Sequence, residues 1–308
     1  MNKNYVKISV LTPVYNRQDC IGRCIESVMR QKYFQHIIVN DGSTDDTSSV
    51  VQNYIQKYKE RIKYIEYKEN KGINYAFNRG VENIKSGFVL ILGSDDKLLD
   101  SAAEIINEYI LKYPGYKHYM FIPDDRKYYV ANNALINGKV NFVKYQDWLR
   151  NKISGDFVHI IHIDVLKKYP FFEEFRLYEL LNFLRFYKET QKQIIINEII
   201  VSRERDRKDA LTKEGELFRK GAINNEYRFL KKLLELFGED YKTIAPKKYL
   251  ELINKMIFLG LALRKYDEVN KYFKYFSFTQ KVVYYLKFGY LLKMFIMYYS
   301  YIKNRIIK

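Results

Sequence analysis

Residues 89–98 read VLILGSDDKL, an apolar run that ends in Gly93, Ser94 and two adjacent aspartates, Asp95 and Asp96. Neighbouring carboxylates repel one another, so a pair of them at the mouth of a buried strand requires a partner or a purpose. Two readings are open on these residues alone. Asp95 and Asp96 belong to a polar turn leading into a helix that Asp100 or Ser101 would cap. Alternatively they hold a divalent cation: carboxylate oxygens suit Mg2+ or Mn2+, and a metal held by one or two of them keeps positions free for a diphosphate. A second cluster, NDGSTDDT at 40–47, offers Asp41 among residue types that also serve turns and helix caps.

The surrounding pattern says what must position these groups. Largely apolar runs at 6–13, 36–39, 62–67 and 88–92 read as strands, the first buried on both faces. Helical spacing fills 19–31, 47–59 and 74–85 between them. Strand and helix alternate, which predicts an α/β fold with a mainly parallel, doubly wound sheet. Ligands in such sheets bind beyond the carboxyl ends of the strands. TPVYNR, NDGSTDDT and GSDDK all fall there. Beyond Asp96 the pattern predicts a helix at 101–113, strands at 118–122 and 158–164, a helix at 172–188 and a strand at 193–202. Helices take over from about residue 213, and a boundary is expected near Thr212.

The segments ISVLTPVYNR, IIVNDGSTDDT, NKGINYAFNRG and LILGSDDKL, in this order, resemble the family 2 glycosyltransferases of the GT-A fold over roughly residues 6–212. The resemblance implies a catalytic domain over 1–212, with a nucleotide-binding half at 1–100 and an acceptor half at 101–212, followed by a helical region at 213–308. It implies an inverting transfer of a hexose or N-acetylhexosamine from a UDP-sugar to a glycan acceptor. Asp95 then matches the metal-ligating aspartate of the DxD element, for Mn2+ or Mg2+, with Ser94 and Asp96 beside the donor. Gly93 stands where the family more often has a first aspartate. Asp41 matches the aspartate that accepts a hydrogen bond from uracil, preceded by Asn40 where Asp is commoner. Thr12, Pro13, Tyr15 and Asn16 would surround the base, and Asn78 and Arg79 match a further donor-side stretch.

Inverting transfer needs a general base for the acceptor hydroxyl. The family supplies it from a helix carrying an acidic pair, followed six residues later by Arg. Aligning Arg185 within RLYELLNFLRF (176–186) places Glu179 as the base, with Glu173 and Glu174 next in line. SRERDRKDALT (202–212) resembles a loop that closes over the donor, which brings Arg205 and Arg207 towards the pyrophosphate, where a planar guanidinium matches phosphate oxygens. His159 and His162 lie three apart on a strand, face opposite ways and read as packing. Trp148 reads as packing or as a wall of the acceptor cleft.

The composition narrows the partners. The 308 residues carry 53 Lys and Arg against 36 Asp and Glu, a net charge of +17, which favours anionic ligands or surfaces. No motif that reads DNA or RNA accompanies the charge, so nucleic acid is not expected. Cys20 and Cys24, the only cysteines, are expected as buried, reduced thiols. The N-terminus runs straight into a strand pattern without the leader of a signal peptide. The last segment, 281–308, holds six Lys or Arg, no acid and eight Tyr or Phe. It reads either as a helix lying in a membrane interface or as one docked on 220–275. The first reading suits a cytoplasmic enzyme held peripherally at the inner face of the membrane, near a lipid-linked acceptor of surface-glycan assembly. A GT-A protein that binds a sugar nucleotide without transferring it is the alternative.

Overall fold

The computed structural model describes residues 5–124, 138–175, 178–204, 222–289, 291, 293 and 294. The chain divides into two compact units, Met1–Glu204 and Arg205–Lys308. The first opens with β1 (Ile8–Val14), α1 (Ile21–Arg30), β2 (Phe34–Asp41), α2 (Thr47–Lys57), β3 (Ile62–Tyr67), α3 (Ile73–Glu82) and β4 (Phe88–Ile91). It continues through β5 (Lys97–Leu98), α4 (Ala102–Lys112), β6 (His118–Ile122), β7 (Val140–Lys144), α5 (Tyr145–Leu149), β8 (Val158–His162), α6 (Ile163–Lys168), α7 (Leu180–Thr190), β9 (Lys192–Ile199) and β10 (Val201–Ser202).

The main sheet has eight strands in the order β3-β2-β1-β4-β8-β6-β9-β7. β1 to β4 are mutually parallel, β8 is antiparallel to both β4 and β6, and β9 is parallel to β6. The sheet is therefore mixed but mostly parallel, as the alternation predicts. Strands covered on both faces must be apolar throughout, and β1 and β2 bury Val10, Leu11, Ile37, Ile38 and Val39 completely or almost so. Helix α1 buries Ile21, Cys24, Ile25 and Val28, one stripe at helical spacing. At its end, Val28 O accepts from Gln31 N–H at 3.0 Å, and Arg61 donates to Met29 O at 2.8 Å and to Val28 O at 3.3 Å, while its Nε reaches Phe34 O at 3.1 Å.

Two expectations are corrected, and the open reading of Trp148 is narrowed. The helix expected over 172–188 begins only at Leu180, because side chains from α3 and α7 occupy the peptide groups of 171–175. Ser101 stands at the N-cap of α4 without a side-chain cap bond, and Asp100 pairs with Arg30 at 2.9 Å instead. Trp148 stacks on Tyr187 at 4.2 Å and donates to Gln193 Oε1 at 3.0 Å, which makes it packing.

The second unit holds α8 (Ala222–Ile244), α9 (Pro246–Ala262), α10 (Tyr266–Asn270) and α11 (Phe278–Leu286). α8 and α9 form a hairpin across the single residue Ala245, with Pro246 at the first turn of α9, where its missing N–H costs nothing. No helix among the described residues is long and apolar enough to cross a membrane.

Two histidines, His36 and His118, are buried in the first unit, and a third, His159, lies partly buried beside His118. His36 Nε2 lies 2.9 Å from Thr12 Oγ1, and His118 Nε2 lies 2.9 Å from His159 Nδ1. Burial pushes His36 and His159 down to about 3 and His118 well below its usual value. All three stay neutral when folded and titrate near 6.5 when unfolded. Stability is therefore complete above pH 6.5 and declines as pH falls towards about 3. Each independently titrating histidine contributes at most about 1.4 kcal/mol per pH unit in that window. Urea unfolding at pH 7 and pH 5 should show a loss of about 2 kcal/mol or more, and His36→Gln should flatten part of that dependence. A slope unchanged by His36→Gln would contradict the assignment.

Candidate active site

The motif residues gather at the carboxyl ends of β1, β2 and β4. Past β1, Tyr15 is exposed and Asn16 takes a left-handed backbone (φ 50°), which asparagine tolerates better than most residues. Asn16 N–H donates to Ser43 Oγ at 2.9 Å, and Asn16 Oδ1 accepts from Thr44 N–H at 2.8 Å. Arg17 N–H donates to Thr47 Oγ1 at 2.8 Å. The β1 and β2 exit loops are thus tied together. Pro13 is half-buried in the same stretch, whereas Thr12 is wholly buried with its hydroxyl on His36, a place beneath the loop rather than at its surface.

Asp41 ends β2 and is buried. Its two oxygens accept from Lys71 N–H at 3.0 Å and Gly72 N–H at 2.7 Å, so the carboxylate anchors the loop that starts α3. A carboxylate has about four lone-pair positions, and these two bonds leave acceptor capacity. Asn40 beside it donates to Tyr64 Oη at 2.8 Å and to Glu66 Oε1 at 3.0 Å. An aspartate in this place would face Glu66 as a like charge, which explains the asparagine.

Asp95 and Asp96 stand on a turn closed by Asp96 N–H to Gly93 O at 3.2 Å, with Ser94 buried in it. Both carboxylates converge on the space beside Gly93. A Cβ on Gly93 would lie 3.0 Å from Asp95 Oδ1 and 2.9 Å from Asp96 Oδ2. The glycine is what lets two like charges fold into one spot. Helix α1 braces the turn from below. Cys24 Sγ reaches Gly93 O at 3.5 Å, Ser27 Oγ accepts from Leu98 N–H at 3.0 Å, and Gln31 links Leu99 O at 3.1 Å to Ala103 N–H at 3.0 Å. Burial raises the Cys24 thiol, and both cysteines are buried and free, as expected.

On its other side the turn is held by β5, which pairs with β10. Glu204 N–H then donates to Asp96 Oδ1 at 3.3 Å, while Arg23 donates to Asp95 O at 3.3 Å and forms an ion pair with the Glu204 carboxylate. Sequence reasoning missed Arg23, which lies in no motif, and Glu204, which stands within SRERDRKDALT but was passed over for its arginines. Arg205 and Arg207 follow immediately but lie outside the described residues.

Glu179 is exposed at the N-cap position of α7. α7 leads back into β9, which runs parallel to β6, so its first turn lies at the same carboxyl edge of the sheet as Asp41 and Asp95. The approach to it is clamped. Asn74 Nδ2 donates to Phe172 O at 2.7 Å, and Asn78 donates to Phe171 O and Glu173 Oε1 at 2.9 Å each while accepting from Phe171 N–H at 2.7 Å. From α7, Asn182 Oδ1 accepts from Phe172 N–H at 3.0 Å, and Arg185 donates to Pro170 O and Asn182 Oδ1, its guanidinium 3.8 Å from the Phe172 ring centre. Burial lowers Arg185 to about 10. Asn78 therefore grips a loop, and Arg79 pairs with Glu82 at 2.6 Å.

The clamp makes a stability prediction. Asn78→Ala leaves the Phe171 peptide groups buried and unpaired, a cost of about 2–3 kcal/mol. Asn78→Asp should not restore it, because it loses the amide donor and sets a charge against Glu173. Urea unfolding of both variants is the check, and wild-type stability in Asn78→Asp would contradict the assignment.

Comparison with known proteins bears on the family and the fold. The family model described as Glycosyl transferase family 2 matches residues 9–163. A relative from Campylobacter jejuni, the GalNAc(5)-diNAcBac-PP-undecaprenol beta-1,3-glucosyltransferase, is 31% identical over 247 residues, 75% of this chain and 72% of that protein. Other curated relatives are matched over shorter stretches, this chain spanning 14% of one and 36% of another. Among solved structures, S. aureus TarS 1-349 in complex with UDP-GlcNAc superposes with a TM-score of 0.61 at 15% identity, over 82% of this chain and 81% of that one. The mannosyltransferase PcManGT from Pyrobaculum calidifontis, in complex with GDP-Man and Mn2+, gives 0.56 at 15% identity over 99% and 86%. These two likenesses speak to the GT-A fold. Together with the family model, which spans half of the chain, the Campylobacter match shows that this chain belongs to glycosyl transferase family 2.

Proposed function

We propose that the chain transfers a hexose or N-acetylhexosamine from a UDP-sugar to a lipid-linked glycan acceptor, with inversion at the anomeric carbon. The observation that carries this is the convergence of Asp95 and Asp96 beside Gly93, at the same sheet edge as Asp41. A UDP-sugar donor agrees with the TarS neighbour in complex with UDP-GlcNAc, and a lipid-linked acceptor with the undecaprenol named for the Campylobacter relative. In that setting the enzyme works peripherally at the cytoplasmic face of a membrane, with the basic tail 281–308 as its contact.

Asp41 accepts the uracil N3–H with the lone pairs that Lys71 and Gly72 leave, while Pro13, Tyr15 and Asn16 enclose the base. Thr12 supports that wall from below through His36, while Asn78 and Arg79 act from α3, Asn78 by holding the 171–173 segment. The donor set fits a hard divalent ion: two convergent carboxylates leave positions for water and phosphate oxygens. Asp95, with Asp96 and Ser94 alongside, would hold Mn2+ or Mg2+, which when bound offsets the negative charge of the diphosphate. Arg205 and Arg207 add guanidinium groups to the pyrophosphate side. Glu179 takes the proton of the acceptor hydroxyl as that oxygen bonds to the anomeric carbon. The bond from that carbon to the diphosphate oxygen breaks, and UDP leaves with the electron pair.

The purified chain, given UDP-sugars, Mn2+ and a glycan acceptor, should release UDP. Asp95→Ala should abolish the metal-dependent rate. Glu179→Gln should lower kcat by about a hundredfold or more while leaving UDP binding intact. Gly93→Ala should slow turnover without shifting the thermal midpoint, since a new methyl displaces only the ends of two side chains. Wild-type turnover in Asp95→Ala or Glu179→Gln would overturn these roles. UDP binding without transfer to any acceptor would favour a binding protein instead.

A further inference from the structure

Helix α11 is apolar on two sides, and only one of them is packed. On the inner side, Tyr284 meets Tyr266, Phe273 and Phe276 edge-on at 6.0, 5.7 and 5.6 Å between ring centres. Gln280 Nε2 reaches Asn254 O at 3.5 Å. Gly289, just past the helix, comes so near α9 that a Cβ would lie 2.1 Å from Leu261 O. The helix is therefore fixed to its own unit.

The outer side carries Phe278, Val282, Tyr285 and Leu286, exposed by 83, 37, 67 and 55%. Their spacing is i, i+4, i+7 and i+8, one continuous stripe of a helix. On a helix docked in water this face is normally the polar one. Phe288, Leu291 and Met294 prolong the exposed apolar surface along the chain. Lys281 lies at the flank, its ammonium group 5.5 Å from the Phe273 ring centre, whereas Lys287 turns to the packed side, 4.1 Å from the Tyr266 ring centre and 4.4 Å from that of Tyr284. After Glu268 the remaining 40 residues hold eight Lys or Arg and no acid.

That charge decides what can cover the stripe. A second copy of the chain would bring its own unbalanced cations to the contact and be repelled. An anionic bilayer would take the apolar stripe and attract the lysines together. We infer that the outer face of α11 is a lipid-docking face. Phe278, Val282, Tyr285 and Leu286 enter the boundary between headgroups and acyl chains, and Lys281 and Lys293 stay at the level of the lipid phosphates. The inference deepens the membrane part of the proposed function and rests on it for the biological setting.

Vesicle co-sedimentation of the full chain tests it without any turnover. The chain should bind phosphatidylcholine vesicles containing phosphatidylglycerol, bind them less as salt rises, and bind pure phosphatidylcholine weakly. A variant with Phe278→Ser, Val282→Ser, Tyr285→Ser and Leu286→Ser should lose about tenfold or more of that binding and remain folded, its thermal midpoint lowered only by the lost edge contact of Tyr285 with Phe273 at 5.9 Å. A separate Tyr285→Trp variant should shift its added emission to the blue on meeting anionic vesicles. Unaltered vesicle binding by the four-serine variant would overturn the inference. So would a wild-type dimer that the same variant converts to monomer. UDP release to a water-soluble acceptor should be equal in variant and wild type; its absence in both would fault the catalytic reading and leave the docking result standing.

Discussion

Two carboxylates turned into one space are the constraint around which the first unit is arranged. Asp95 and Asp96 converge beside Gly93, and like charges that close do not stay together without bracing. The bracing comes from three directions. Helix α1 holds the turn through Cys24, Ser27 and Gln31, the β5–β10 pair fixes its exit, and the Glu204 peptide donates to Asp96. Arg23 sets a positive charge at the rim. A divalent ion and the diphosphate it accompanies would complete this balance. In the proposed function the strand exits would then bring a nucleotide's base and its phosphates to the same edge.

A second line of contacts links the two halves of the site. Asp41 fixes the loop entering α3, and α3 in turn presents Asn74 and Asn78 to the segment 171–175. Asn182 and Arg185 grip that segment from α7, whose N-cap position is Glu179. Nearly every group in this line is a backbone peptide held by a side-chain amide. Such bonds have fixed length and direction, so the line is stiff where a packed apolar contact would slide. In the proposed reaction this stiffness relates the carboxylate that reads the base to the one that accepts the proton.

Much of this was legible in the sequence, and the reason is local. β1 to β4 and α1 to α3 follow from runs of Val, Leu and Ile alternating with helical spacing, a pattern that needs no distant partner. Asp41, Asp95 and Asp96 were legible because strand exits are where such folds bind ligands. The start of α7 was not, since its preceding segment is held by asparagines about a hundred residues away. Thr12 reads like a surface residue of the exit loop until His36 is placed beneath it. Asn40 and Gly93 read as losses from the family pattern. Glu66 and the Asp95–Asp96 convergence supply the physical reasons for both.

The central claim is that Asp95 and Asp96 form the metal end of a sugar-nucleotide site whose other end is Asp41. Calorimetric titration of UDP into the full chain tests it most directly, once with Mn2+ and once with a chelator. The account predicts binding at one site, tighter by about tenfold or more with the ion present, since the ion would offset the negative charge of the carboxylates and the diphosphate. Equal affinity in both titrations, or no binding in either, would contradict it.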